Sequence, residues 1–287
     1  MNESSECIIL QHGHKKPNAP IACIGAGTGL GECFLTPNSN DGVYQCFPSE
    51  GGHCEFAPRN DLEVGLLNFL KKKFNQHNRV SVERVVSGTG LMNIYEYLCL
   101  TYPELVDATL HEKITSGGDL KGKIIATNQW NKICSKTMEI FITAYGSEAG
   151  VAALKWLPAG GLYLTGGLTP KNIELIRSID SPFMSAFLDK GRVSGMLCGI
   201  PVFAVMVEDL GERGAHYMAF KLMQELKKSE QTEIIKLSSD SNDSQPLKLY
   251  KNNNNQSSLL ESVSKFIWPS VYILTGFALA VIILKKK

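Results

Sequence analysis

The chain has 287 residues, of which 44% are hydrophobic and 20% are charged, and its formal net charge is +1. A chain of this length and hydrophobic content can bury a sizeable core, so the composition does not indicate a chain that is disordered over its whole length. The charge balance lacks the basic excess that marks nucleic-acid-binding proteins, and we exclude nucleic acid as a partner.

Eight cysteines are scattered along the chain without a C-x-x-C pair. This spacing fits neither a zinc site nor a compact disulfide framework. The N-terminal segment contains only a short apolar run, Ile8 to Leu10, which is too short for a secretory signal. We therefore expect reduced thiols in a domain that faces the cytosol.

The first predicted strand lies in "APIACIGAG" and enters a loop with glycines at alternate positions from Gly25 to Gly31. The next segment, "GECFLTPNSNDGVYQCFP", predicts two strands around an Asn-Asp-Gly turn, so a hairpin follows the loop. A dinucleotide-binding fingerprint would need a helix there and a glycine in place of Leu30. A Walker loop would need a following Gly-Lys-Ser/Thr, so both alternatives are excluded.

Three longer helices are predicted after the hairpin. Asn60 or Asp61 caps the first, the second starts near Gly90, and the third covers Asn131 to Trp156. The first helix has apolar residues at helical spacing, namely Leu62, Leu66, Phe69, Leu70 and Phe74.

Strands and helices then alternate along the chain. "GGLYLTGG" predicts a short buried strand, and Thr169 with Pro170 predicts the cap and first position of another helix. "IPVFAVMVED" predicts a further strand, and "GAHYMAFKLMQELKK" predicts the last helix. Hairpin strands followed by this alternation predict an α/β domain with a mixed sheet covered by helices.

The C-terminal part has a different composition. Ser229 to Ser264 is rich in Ser, Asn, Asp and Gln, which predicts a flexible tether. Phe266 to Leu284 contains no charged residue and is long enough to cross a bilayer of ~30 Å. We expect a tail anchor in the mitochondrial outer membrane or endoplasmic reticulum, with the domain facing the cytosol. The predicted division is an N-terminal remnant (1–20), a large domain (21–228), a tether (229–264) and the anchor (265–287).

Three polar clusters could carry chemistry. Glu50 and His53 flank two glycines in "SEGGHCEFAP", a spacing that lets a carboxylate and an imidazole converge on a small polar ligand. Glu83 precedes the glycine turn of "SVERVVSGTGL", and Gly166 and Gly167 end a strand where a flat ring could approach the backbone. Each cluster taken alone also has a structural explanation. Glu50 and His53 fit a surface turn, Glu83 fits a helix cap or an ion pair, and Gly166 with Gly167 fits an ordinary tight turn.

In chain order, however, the strings resemble the bacterial-type glucokinases of the actin/hexokinase/Hsp70 ATPase superfamily. The shared motifs are GAGTGLG, P-x-EGGH-x-x-FAP, S-x-ERV-x-SG-x-GL, GG-x-x-x-x-GG-x-x-P, F-x-DKGR, and IPV followed by GAH. They cover Ile8 to Leu226, and the zinc-binding cysteine cluster of the ROK sugar kinases is absent. The resemblance implies a ribonuclease-H-like, actin-like ATPase large domain. It also implies ATP-dependent phosphorylation of D-glucose at the 6-hydroxyl, with Mg²⁺, at the entry to glycolysis.

The resemblance assigns roles to individual residues. Glu50, His53 and Glu83 match residues that hydrogen-bond glucose hydroxyls. GAGTGLG matches the second phosphate-binding loop, and the residues after the GG-bounded strand match the adenosine-side turn. The ATP and phosphate assignments are Gly25, Gly27, Thr28, Gly29, Ser87, Gly88, Gly166, Gly167 and Leu168. D-glucose and ATP are thus the expected partners, no residue is assigned to a metal, and a homodimer is a candidate assembly because relatives form homodimers.

The chain also departs from the family pattern. Family members carry an Asp-x-Gly-Gly-Thr first phosphate loop and an Asn-Asp pair, whose Asp is the general base, ahead of GAGTGLG. The first Asp in this chain is Asp41, after that loop. We therefore assign no catalytic residue and expect little or no phosphotransfer by this chain alone. Two alternatives stay open, a non-catalytic membrane-tethered sugar-binding or scaffold protein and a fragmentary gene model.

Overall fold

The computed structural model describes residues 3–38 and 42–239. Its strands are β1 (Cys7–Gln11), β2 (Ile21–Ala26), β3 (Leu30–Pro37), β4 (Tyr44–Ser49), β5 (Gly161–Thr165) and β6 (Val202–Val205). These described strands form one sheet in the order β1-β6-β5-β2-β3-β4. The pairs β2/β5 and β5/β6 are parallel, whereas β2, β3 and β4 form an antiparallel meander and β1 is antiparallel to β6. The predicted α/β class with a mixed sheet is confirmed.

The helices of the same part of the chain are α1 (Glu3–Glu6), α2 (Asp61–Lys73), α3 (Gly88–Thr101), α4 (Ala108–Thr115), α5 (Lys121–Thr127), α6 (Lys132–Trp156), α7 (Leu168–Lys171), α8 (Ile173–Ile176), α9 (Pro182–Leu188), α10 (Ser194–Leu197) and α11 (Leu210–Ser239). Asn60 caps α2 by accepting the Glu63 N–H at 3.0 Å. Asn131 caps α6 in the same way, so both predicted starts are confirmed.

One face of the sheet is buried beneath α6. Ala22, Ile24 and Ala26 of β2 are fully buried, while the residues between them are partly exposed, as the two-residue period of a strand requires. Helix α6 packs against β2 and is itself covered by α3 and α9. The loops at the carboxyl ends of β2 and β5 are therefore held on a rigid layer.

Three predicted boundaries are wrong. Residues 1–20 are not a separate remnant, because β1 lies in the same sheet as β2 and pairs with β6. Helix α7 begins at Leu168, so Thr169 is inside it and is not its cap. The final helix continues to Ser239, so the first residues of the predicted tether are helical.

The chain divides into two compact units, the first ending at Glu208 and the second beginning at Asp209. In the second unit the described residues form α11. None of the described helices is both long and apolar enough to cross a membrane. The predicted anchor, Phe266 to Leu284, and the tether from residue 240 onward lie outside the described residues.

Candidate functional site

Two glycine loops meet at the carboxyl ends of β2 and β5. The strands are parallel, and Gly25 lies opposite Thr165 in their register, so the loops that follow are neighbours. Gly166 has φ +79, and a Cβ there would lie 2.4 Å from the Ala26 carbonyl oxygen, so only glycine fits. The predicted phosphate hairpin (27–29) and the predicted adenosine-side turn (166–168) thus form one continuous surface. In α/β proteins this edge of the sheet is the usual ligand site.

The first turn of α3 supports the phosphate hairpin. The Gly88 N–H donates to the Gly27 carbonyl oxygen at 2.8 Å, and the Thr89 hydroxyl lies 3.4 Å from the Thr28 carbonyl oxygen. The N-terminal end of a helix carries a partial positive charge and favours anions. This placement suits a phosphate group bound beside the hairpin.

Three residues assigned to ATP, namely Gly27, Ser87 and Gly88, also make hydrogen bonds within the protein. Ser87 is buried, and its hydroxyl donates to the Glu83 carbonyl oxygen at 2.7 Å while accepting the Gly90 N–H at 2.9 Å. The Gly27 N–H donates to the Gly29 carbonyl oxygen at 2.8 Å and closes the hairpin. The assignment of phosphate donors in this hairpin therefore rests on Thr28, which is exposed, and on Gly29.

The predicted sugar residue Glu50 directly precedes a 3₁₀ turn, Gly51–His53, and the second one, His53, ends it. We call this the sugar turn. Both side chains are exposed, and Glu50 Oε2 lies 3.9 Å from His53 Nε2, so the carboxylate and the imidazole converge as their spacing suggested. The turn is pressed onto β3, because a Cβ on Gly51 would lie 2.0 Å from Glu32 Oε2. The adjacent Gly52 has the same close approach to the Leu30 carbonyl oxygen.

Glu83 connects the sugar turn with the phosphate hairpin. Its Oε2 accepts the Leu30 N–H at 2.9 Å, where the hairpin enters β3. The neighbouring Val82 N–H donates to the Cys54 carbonyl oxygen at 2.8 Å, directly after the sugar turn. A carboxylate that accepts one hydrogen bond keeps further lone pairs for a ligand hydroxyl. All three predicted sugar residues therefore lie beside β3, the strand that follows the phosphate hairpin.

Sequence reasoning missed the contacts of Tyr145, a buried residue of α6 whose hydroxyl lies 3.4 Å from the Ile24 carbonyl oxygen of β2. The Tyr145 hydroxyl lies 2.9 Å from Thr169 Oγ1, and the Thr169 hydroxyl donates to the Thr165 carbonyl oxygen at 2.9 Å. Burial raises the pKa of Tyr145 to about 12, so the phenol stays neutral. The buried Tyr145 fits the apolar face of α6, but nothing in the sequence signals the partners of its hydroxyl.

A second omission is a pair of buried acids, Glu32 on β3 and Glu148 on α6. Both residues are almost fully buried, and the Glu32 carboxyl group lies against Gly51 of the sugar turn. A signal for them exists in the sequence, because Glu32 occupies the inward phase of β3 between Leu30 and Phe34. Charged residues are rarely buried without a partner, so this pattern marks a special site.

Comparisons with known proteins agree on one family. The family model described as "Glucokinase" matches residues 1–222. A glucokinase from Nostoc sp. is 44% identical over 230 residues, covering 76% of this chain and 66% of the relative. Four such relatives are covered over 62% to 66% of their length, so the chain spans less than two thirds of each.

Solved structures give the same fold. A glucokinase from an Antarctic psychrotroph matches with a TM-score of 0.57 and 28% identity, over 72% of this chain and 60% of that one. A Balamuthia mandrillaris glucokinase in complex with glucose matches with a TM-score of 0.56, over 70% of this chain and 55% of that one. At 20% identity the latter supports the fold alone. With two adjacent glycine loops, a converging Glu-His turn and a matching family model, the chain belongs to the glucokinase family.

Proposed function

We propose that this chain binds D-glucose and ATP side by side and forms the substrate-binding part of an ATP-dependent glucose 6-phosphotransferase. The observation that carries the proposal is the hydrogen bond from the Leu30 N–H to Glu83 Oε2 at 2.9 Å. It joins a residue assigned to the sugar to the strand that leaves the phosphate hairpin. Transfer requires that the phosphoryl acceptor and donor be held next to each other.

The sugar side has the chemistry that a polyol needs. Glu50 and Glu83 supply acceptor carboxylates, and His53 supplies a ring that can donate or accept. Each glucose hydroxyl both donates and accepts, so such a mixed set can satisfy several hydroxyls at once. The names of the relatives support D-glucose as the sugar.

The nucleotide side has an anion-binding character. Thr28 and Gly29 lie at the tip of the hairpin, the α3 N-terminus lies beside it, and the 166–168 turn approaches the end of β2 closely. Mg²⁺ would arrive on the phosphate oxygens of ATP and neutralise part of their charge. The residues of this chain would orient the phosphates and shield them from water.

No general base is assigned in this chain. The family resemblance places the base in an Asn-Asp pair ahead of the phosphate hairpin, and no Asp precedes that hairpin here. Glu50, His53 and Glu83 are therefore proposed as binding residues and not as catalytic ones. The non-catalytic sugar-binding alternative shares this binding chemistry and differs only in turnover.

Calorimetry with D-glucose tests the sugar side. Replacing Glu50 by Ala (Glu50→Ala) is expected to weaken glucose binding by about 10-fold to 100-fold, since hydrogen bonds to charged groups contribute about 1.5–3 kcal/mol. Glu174→Ala is a matched control, because its carboxylate is also exposed and pairs with Arg177. Glu174→Ala should bind glucose as the unaltered chain does.

Two results would contradict the sugar assignment. One is the absence of measurable heat with glucose for a folded, unaltered chain. The other is equal glucose affinity for Glu50→Ala and the unaltered chain.

We also propose that Phe266 to Leu284 anchors the protein in a membrane with its domain facing the cytosol. The support is the uncharged length of this segment and its flanking lysines. Deleting residues 266–287 is expected to move the protein from the membrane fraction to the soluble fraction after cell lysis. An unchanged membrane fraction for the deleted form would refute the anchor.

A further inference from the structure

The carboxyl group of Glu32 lies directly beneath the sugar turn, and Glu148 on α6 is a second buried acid that acts on it. Glu32 is 3% exposed and Glu148 is 7% exposed. A Cβ on Gly51 would lie 2.0 Å from Glu32 Oε2 and 2.5 Å from Glu32 Cδ. The backbone between Glu50 and His53 therefore rests on the Glu32 carboxyl group.

These carboxyl groups do not have the partners that buried charges need. Among the residues described, no N–H or O–H donates to either oxygen of Glu32 or to Oε1 of Glu148. The charge on Glu148 and a hydrogen bond to Glu148 both raise the pKa of Glu32, so the two carboxyl groups act on each other. Two ionised carboxylates in this position would repel each other and lack solvation. One proton between them removes one charge and creates a strong hydrogen bond.

The surrounding charges favour one negative charge on the pair. Lys155 and Lys190 both act on Glu148 through space, and Lys155 also acts on Glu32. Lys190 Nζ donates to the Ala186 carbonyl oxygen at 2.9 Å, so its own hydrogen bonding is directed elsewhere. The two lysines thus stabilise a single carboxylate from a distance.

The remaining titratable neighbours are neutral. Burial raises the pKa of Tyr145, and a hydrogen bond from the Cys33 thiol to Cys23 is the main cause of the raised pKa of Cys33. The negative charge of an ionised Glu32 raises the pKa of both groups further. On the sugar turn itself, Glu50 and His53 are exposed to solvent.

The electrostatics assign the proton to Glu32. Burial, followed by the charge on Glu148, raises the pKa of Glu32 to about 7. Burial also raises the pKa of Glu148, but Lys155 and the hydrogen bond from Glu32 act in the opposite direction. Glu32 is therefore the donor and Glu148 the acceptor.

We propose that Glu32 and Glu148 are positioning residues of the sugar site, which share one proton and thereby hold the sugar turn in its binding geometry. The proposal rests on the proposed role of this turn in glucose binding. Loss of the proton places a second negative charge beneath Gly51, and repulsion between the carboxylates pushes the turn outward. Glu50 and His53 then no longer converge, and glucose binding weakens.

The pH dependence of glucose binding tests this role. Calorimetry on the full chain is expected to show a dissociation constant that rises at least about fivefold between about pH 6 and pH 8.5. Glu32→Gln should bind with nearly constant affinity over this range, because its amide keeps a donor towards Glu148 and cannot ionise. Glu139→Gln removes an exposed carboxylate from the same helix as Glu148 and should retain the pH dependence.

A second readout needs no glucose. In ¹⁵N–¹H NMR spectra, the amide signals of Gly51 and Gly52 should shift with a midpoint near pH 7 in the unaltered chain and stay constant in Glu32→Gln. If glucose fails to bind but these signals titrate, the proposed function fails and the shared proton stands. Constant amide signals in the unaltered chain, or an unchanged pH dependence of binding in Glu32→Gln, would overturn the inference.

Discussion

A polypeptide of these 287 residues, purified alone, is expected to form glucose 6-phosphate at least about 100-fold more slowly than the Nostoc relative. Loss of a general base typically costs about 10²- to 10⁴-fold in rate. The resemblance also places half of the phosphate-binding groups in a first loop ahead of the hairpin. A phosphoryl-transfer site has to be closed on every side to exclude water from the transferring group.

A coupled assay for glucose 6-phosphate measures this directly, with the Nostoc relative as the positive control under identical conditions. Glucose and ATP binding should be verified on the same preparation by calorimetry. Binding without turnover would support a substrate-binding wall and is also what the non-catalytic sugar-binding alternative predicts. Turnover close to that of the relative would contradict the expectation that none of these residues acts as the general base.

Local sequence signals predicted much of the fold correctly. The segment after the glycine loop predicted two paired strands, which are β3 and β4, and that hairpin excluded nucleotide motifs that require a helix. Asn60 and Asn131 predicted helix starts because their side chains accept the first free N–H groups. These features depend on contacts within a few residues, which a sequence displays directly.

The wrong prediction for residues 1–20 came from a long-range contact. Strand β1 pairs with β6, which lies almost at the other end of the first unit, and no local pattern reveals that partner. Ser87 matches a nucleotide-binding motif, and through local contacts its hydroxyl also bonds the Glu83 carbonyl oxygen and the Gly90 N–H. A motif gives the residue type at a position, whereas the fold determines which of its polar groups stay available.

The site itself shows the same division. The convergence of Glu50 and His53 followed from two glycines between them, a local property. The support beneath the turn comes from Glu32 on β3, and the charge that acts on it belongs to Glu148 on α6, far away in sequence. The pattern of β3 shows that Glu32 points inward. The sequence does not show that Glu148 acts on it, because that depends on how α6 packs on the sheet.

Replacing Gly166 by Ala (Gly166→Ala) is expected to weaken ATP binding by about 10-fold to 100-fold. Its φ of +79 is costly for a residue with a Cβ, by about 1–2 kcal/mol. The new methyl would also lie 2.4 Å from the Ala26 carbonyl oxygen and 2.8 Å from its carbon. That atom belongs to backbone at the end of β2, so relief would displace the phosphate hairpin at a further cost of about 1–3 kcal/mol.

Gly195→Ala is the matched control for this change. Gly195 lies in α10, and a Cβ there would meet no atom within 4 Å. Alanine at such a position restricts the unfolded chain and should leave the thermal midpoint unchanged or slightly raised. ATP affinity should remain that of the unaltered chain.

Glucose affinity separates a local effect of Gly166→Ala from a general loss of structure. The sugar turn is supported by β3 and by Glu32, whereas Gly166 follows β5. A local displacement of the hairpin should therefore weaken ATP binding much more than glucose binding, while general unfolding would remove both and lower the thermal midpoint. Full ATP affinity in Gly166→Ala would mean that the nucleotide does not use the surface where the two glycine loops meet.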